Sequence, residues 1–315
     1  MIARMLLIAV LMTLGSAHAQ TFPSKPVRII VPFAPGGAGD IMARLIAESM
    51  APALGQQVLV ENRPGAGAVI GYEAGARAAP DGHTMVTIWP SFVINPSLRK
   101  VNYDPLKDYE YVGQAIYLPL VIAVSPALGI ASMRDLVEYA RTKPLSYGTP
   151  GVGTIQHALA EMIRASTKIQ LSHVPYPGGG TQVTAVAGGH LPMAVTNVVE
   201  AAPHVRSGKV RPIVVTSEVR PEAMADVPTM RESGFPEFVA TNWSGLAAPR
   251  GTPQPVVARL NAELNRALAK AEIQEKLKSQ GMFTAPGTPA EFATFVQAEN
   301  ARYTKVVRES GMKAD

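Results

Sequence analysis

Val27-Arg28-Ile29-Ile30-Val31-Pro32-Phe33-Ala34-Pro35-Gly36-Gly37-Ala38-Gly39-Asp40-Ile41-Met42 sets the reading of the whole chain. The β-branched run Val27 to Val31 predicts a strand, and the proline- and glycine-rich stretch that follows cannot continue it. Ile41, Met42, Leu45, Ile46 and Met50 then recur at helical spacing. The unit is strand, glycine loop, helix, with Asp40 placed as a cap or first-turn acid. The phrase returns with Val58 to Val60, Arg63 to Gly67 and a small-residue helix through Ala79. It returns again with Ser146-Tyr147, Gly148 to Thr154 and a helix from Ile155 to Ala165. A fourth copy has Val174 to Tyr176, Pro177 to Gly180 and a short helix from Thr181. Four such units predict parallel α/β sheets with crossover helices.

Working outward, further strands are expected at Met85 to Trp89, Leu120 to Val124, Met193 to Asn197 and Arg211 to Thr216. Ser132 with Asp135 opens a helix that ends before Pro144. Thr252-Pro253 and Thr288-Pro289 each offer an N-cap followed by proline, and Glu291 completes a capping box with Thr288. Phe292, Phe295, Val296, Tyr303, Val306 and Val307 form an apolar stripe expected to be core.

The composition narrows the function. The 315 residues are 47% hydrophobic and 17% charged, which suits one large domain or two medium ones. The absence of cysteine excludes a disulfide scaffold, a thiolate metal site and a cysteine nucleophile. A net charge of +5 arises from scattered Lys and Arg rather than blocks, so no nucleic-acid groove is indicated. At the N-terminus Arg4, the apolar run Met5 to Leu14 and Ala17-His18-Ala19 read as a secretory signal peptide over residues 1–19, cleaved after Ala19. No later run of eighteen apolar residues follows, so a soluble exported protein is expected.

A parallel sheet presents its loops at the carboxyl ends of its strands, where ligands settle. Glycine lets backbone approach a ligand, and helix N-termini offer unpaired N–H groups, so carboxylate or phosphate is the favoured ligand chemistry. Gly36-Gly37-Ala38-Gly39 is not a dinucleotide fingerprint, since the required third glycine position holds Met42, and no loop ends as a Walker motif does. Ser97-Leu98-Arg99-Lys100 matches an S-x-x-K spacing without its companion motifs. His83, His157, His173, His190 and His204 stand without a partner at metal-ligand spacing. No catalytic residue, metal ligand or cofactor is expected.

Val31 to Gly37 with Asp40 and Ala43-Arg44, Glu61 to Gly67, Pro80 to Thr84, Val174 to Tyr176, Asp226 to Thr229 and Trp243 to Pro249 together resemble the Bug-type extracytoplasmic solute receptors of tripartite tricarboxylate transporters. The similarity runs from about residue 22 to the C-terminus. It implies a two-domain α/β periplasmic binding protein fold of type II-like topology with a ligand cleft between the domains. The first domain would be residues 20–122 plus 242–315, and the second residues 123–241. The resemblance further implies a monomer in the periplasm that binds a small organic acid or related metabolite and delivers it to membrane permease subunits. Carried over residue by residue, the ligand-binding positions are Phe33, Gly36, Gly37, Ala66, Gly67, Ser91, Thr149, Gly151, Thr154, Tyr176 and Asn197.

The sequence departs from the family pattern at His190 to Val195, at Thr196-Asn197 and at Glu200-Ala201-Ala202, all near the expected cleft. Arg44 and Arg63 are expected to form salt bridges rather than to meet ligand, because helix-end amides serve an anion without a desolvated charge. Two other functions fit the same residues: a solute sensor for a signalling partner, and a periplasmic hydrolase.

Overall fold

The computed structural model describes residues 22–176 and 180–314. The expected leader, and Pro177 to Gly179 of the fourth loop, lie outside the described residues. The first units are β1 (Val27–Val31), α1 (Ala38–Leu54), β2 (Val58–Asn62), α2 (Val69–Ala76), β3 (Thr84–Ile88) and α3 (Pro90–Leu98). A long strand β4 (Tyr109–Val124) leads to α4 (Met133–Thr142), β5 (Leu145–Thr149), α5 (Ile155–Thr167) and β6 (Leu171–Pro175). Then come α6 (Thr181–Ala187), β7 (Met193–Asn197), α7 (Val198–Arg206) and β8 (Arg211–Val215). The chain closes with β9 (Thr241–Pro249), α8 (Gln254–Leu268), α9 (Ala271–Ser279), β10 (Phe283–Thr284) and α10 (Pro289–Ser310).

The strand order is β2-β1-β3-β9-β4-β7-β5-β6, with β8 and β10 also pairing β4. β1 pairs in parallel with β2 and β3, and β5 in parallel with β6 and β7. The repeated units therefore build two parallel blocks. Antiparallel β4 and β9, which the sequence pattern did not fully disclose, join them. Tyr109 to Pro119 of β4 pair with β9, while Leu120 to Val124 pair with β7 and β8, so one strand serves both halves. Only that last portion was legible, because Gly113 and Pro119 interrupt the run and the register shifts twice beside β9. β9 itself is rich in Ser, Gly and Ala, which carry little strand signal.

Alternation along the strands sets the cores. Val27, Ile29 and Val31 bury against Met42, Ile46 and Met50 of α1, while Ile30 faces the opposite side. That opposite core runs beneath both halves and includes Ile122, Tyr147, Phe292, Val296, Tyr303 and Val307. The C-terminal stripe is thus core, as expected. Trp243 Nε1 donates to Glu299 Oε2 at 2.8 Å, Arg302 donates to the Val239 carbonyl, and Arg164 Nη2 donates to the Ser310 carbonyl at 2.6 Å. By these bonds α10 clasps strands and helices of both halves.

Ser132 accepts the Asp135 N–H at the start of α4, and Thr288 and Glu291 form the expected capping box on α10. The α8 reading shifts by one residue: Pro253 is the N-cap, and Thr252 Oγ1 donates instead to the Pro249 carbonyl. The helix read through Ala79 ends at Ala76. Thr288→Ala removes a side-chain acceptor at an exposed helix end, and should cost about 1 kcal/mol in urea-induced unfolding.

Candidate functional site

The loops after β1, β2, β3 and β5 are tied to one another by side chains. Asn62 Nδ2, at the end of β2, donates to the Phe33 carbonyl at 3.1 Å and to Asp40 Oδ1 at 2.9 Å. Asp40 Oδ2 accepts the Gly36 N–H at 3.0 Å and Arg44 Nε at 3.0 Å. Burial alone would raise the Asp40 pKa, but Arg44, the Gly36 N–H and Asn62 outweigh it and hold the carboxyl below its ordinary value. Asp40 is therefore a loop brace as well as a first-turn acid. Arg44 pairs with Asp40 at 2.9 Å and Arg63 with Glu61 at 2.6 Å, as the sequence suggested.

Phe33 meets Trp89 edge-to-face at 5.8 Å, linking the first loop to the end of β3. Helix α3, absent from the sequence reading, follows directly. Its Pro96 cannot donate to the Phe92 carbonyl, and Tyr103 Oη supplies that bond at 2.9 Å. One turn of α3 carries Asn95, whose Nδ2 donates to the Gly67 carbonyl at 2.8 Å. Its Oδ1 faces Gly153 so closely that a Cβ there would lie 2.9 Å away. Asn95 thus stands between a loop of the first parallel block, which it bonds, and a loop of the second, which its Oδ1 faces.

Ala66, Gly67 and Ala68 all have positive φ, at 48°, 65° and 79°. Non-glycine residues adopt this conformation at a cost of roughly 1–2 kcal/mol each, and such strain is held where backbone must be aimed. In the second block Thr149 Oγ1 lies 2.7 Å from His173 Nε2, and the His157 and His173 rings stack at 3.9 Å. The histidines that looked solitary in sequence are a pair in space. Burial lowers both pKa values to about 4, aided at His157 by Arg164 and at His173 by His157. A neutral imidazole so reluctant to take a proton is poorly matched to activating the buried Thr149 hydroxyl near neutral pH. It orders the loop instead. Thr154 Oγ1 accepts the His157 N–H at the head of α5 and donates to the Gly151 carbonyl at 2.8 Å.

The expected ligand positions fall into two groups. Phe33, Gly36, Gly37, Ala66, Gly67, Thr149, Gly151, Thr154 and Tyr176 lie on or directly against these linked loops; the Tyr176 N–H donates to the Thr149 carbonyl at 3.0 Å. Ser91 and Asn197 have their polar atoms engaged inside the protein. The Ser91 hydroxyl is 2.8 Å from Tyr72 Oη, and Asn197 Nδ2 donates to Glu200 Oε1 while its Oδ1 accepts from Asn242. Two departures from the family pattern are coupled here, since the Thr196 hydroxyl donates to Glu200. Ser97 Oγ donates to Thr304 Oγ1 at 3.2 Å. A groove lined by Pro119, Val199, Arg206, Lys278 and Phe283 uses no residue of these loops.

Asn62, Asn95, Trp89 and the histidine pair were missed as site residues. Asn62 lies inside a phrase that carried the resemblance, whereas Asn95 sits in a helix that its own Pro96 disguised.

Comparison with known proteins accords with this geometry. The family of tripartite tricarboxylate transporter receptors, TctC, matches residues 42–312. The structure of the periplasmic binding protein BugD is 32% identical, covers 93% of this chain and 99% of its own, and superposes with a TM-score of 0.80. MatC from Rhodopseudomonas palustris, solved with bound malate, is 34% identical over 91% of this chain and all of its own, with a TM-score of 0.80. The R. palustris protein Rpa4515, solved with adipate, is 31% identical over 93% of this chain and 99% of its own, with a TM-score of 0.82. The fold is that of the two-domain α/β periplasmic binding proteins, and the chain belongs to the Bug-type tripartite tricarboxylate transporter receptor family.

Proposed function

We propose that the protein is a periplasmic receptor that captures a small carboxylate between its two halves and passes it to the permease of a tripartite tricarboxylate transporter. The observation that carries this reading is that two family members above 30% identity were solved holding carboxylates, adipate in one and malate in the other. The glycine loops support it, because they expose backbone at the carboxyl ends of β1, β2 and β5 beside the N-termini of α1 and α5. In this reading Phe33, Gly36, Gly37, Ala66, Gly67, Thr149, Gly151, Thr154 and Tyr176 line the ligand, and Ser91 and Asn197 brace the wall behind them. Residues 20–122 with 242–315 form one domain and 123–241 the other. The chain acts as a monomer after cleavage behind Ala19, and among the described residues no helix is long and apolar enough to cross a membrane.

Capture is reversible and involves no bond making, so the protein is a carrier rather than an enzyme. A Kd near micromolar, about −8 kcal/mol, permits both capture and release. The test is a thermal-shift screen of the chain from Gln20 onward against malate, adipate, citrate, butyrate and nicotinamide. An acid present at about a hundred times its Kd should add about 2.7 kcal/mol of stability. A shift with nicotinamide and none with any acid would sink the carboxylate reading.

A further inference from the structure

The arginines near the loops are not alike. Arg44 and Arg63 are each spent on an acid. Arg99, half-buried at the C-terminal end of α3, makes no side-chain hydrogen bond or ion pair among the described residues, and its Nε is buried without a partner. A buried N–H without an acceptor is costly unless something completes it, and the two terminal nitrogens of Arg99 are not buried with it. These two terminal nitrogens both lie against Gly67, each 3.8 Å from where a Cβ would stand. Asn95, one helical turn earlier on the same face, is fully buried and grips the Gly67 carbonyl, yet its Oδ1 also has no partner and points at Gly153. Two unfinished polar groups therefore lie where the loops of the two halves meet.

We infer that Arg99 anchors one carboxylate of the ligand beside Gly67, so that the site selects a dianion over its singly charged counterpart. The inference rests on the carboxylate-receptor reading above and names the ligand class within it. The planar fork of Arg99 suits bidentate pairing with a carboxylate, and a lysine would supply only a point charge. The second carboxylate falls to the helix ends, with α5 favoured over α1: Asp40 already takes the Gly36 N–H in front of α1, and its charge is cancelled by Arg44.

The experiment is calorimetric titration of the chain from Gln20 onward with adipate, malate and the half-amides of both, which keep the length and lose one charge. The wild type should bind a diacid roughly tenfold or more tightly than its half-amide. Arg99→Gln should weaken diacid binding by a similar factor and bring the diacid-to-half-amide ratio down to about two or less. Arg99→Lys should keep an intermediate ratio. A ratio unchanged in Arg99→Gln would overturn the anchor, even with a lowered melting temperature, because a cation serving only the C-terminus of α3 affects stability and not charge selectivity. Butyrate binding in the absence of any diacid binding would overturn the dianion preference and leave the receptor standing. Binding of no acid at all to the wild type would remove both.

Discussion

Gly245→Ala should lower the melting temperature by about 6–12 °C, and Gly245→Val should prevent folding. Gly245 lies in β9 between Ile88 of β3 and Gln114 of β4. A Cβ there would stand 2.4 Å from Phe292 Cζ and 2.5 Å from the Gly113 carbonyl oxygen. Neither neighbour can retreat cheaply. Phe292 is 2% exposed and meets Trp243 edge-to-face at 5.9 Å and Tyr111 at 5.7 Å, while Gly113 is backbone within a register shift. Overpacking a closed core costs about 3 kcal/mol at such a position, and each kcal/mol is worth roughly 2–4 °C in a chain of this size. Differential scanning calorimetry reads the result directly. An alanine variant melting within about 2 °C of wild type would show that β9 and α10 are not packed as described.

Acidification should destabilise the protein between pH 6.5 and 4 through the stacked histidines. Burial lowers the His157 pKa from the ordinary 6.5 to about 4, with Arg164 adding to the effect. The unfolded chain therefore binds this proton before the folded one does. Stability held above pH 6.5 is lost as pH falls towards the folded value. One pKa unit is worth about 1.4 kcal/mol, so His157 alone contributes about 3 kcal/mol of acid loss. His173 shifts the same way, through burial and then through His157, with Glu161 partly opposing. The faces around the pair carry Tyr147, which donates to Glu161 at 2.7 Å, and Arg164, which pairs with Glu161 at 2.9 Å. The double variant His157→Gln, His173→Gln should flatten the melting-temperature profile over this range. A profile as steep as that of wild type would reject the buried pair as its cause.

The site divides into what local pattern could reveal and what it could not. Strand-to-helix periodicity placed the glycine loops at Pro32 to Gly39, Arg63 to Gly67 and Gly148 to Thr154, because turn chemistry is written in neighbouring residues, while the ligand positions within them are what the family resemblance implies. Asn95 lies on, and Arg99 caps, a helix containing Pro96, and the acceptor that proline frees is satisfied by Tyr103, seven residues further along and outside any helical pattern. His157 and His173 come from α5 and the adjacent strand β6, and their stacking is a product of strand pairing. Asn197 was legible as a residue at a strand end, but its commitment to Glu200 and Asn242 depends on where β9 returns.

By itself the sequence determined the alternation of strand, loop and helix, the caps of α4 and α10, the apolar stripe of α10 and the family. These follow from periodicities and short-range hydrogen bonds that neighbouring residues carry in themselves. Tertiary structure alone decided that antiparallel β4 and β9 join two parallel blocks, that α10 clasps both, and that Asn95 stands between Gly67 and Gly153 with Arg99 beside it, its Nε unpartnered among the described residues. Those relations depend on burial and on contacts between residues far apart in the chain, and no local propensity records which distant partner will complete a strand edge, a charge or a buried amide.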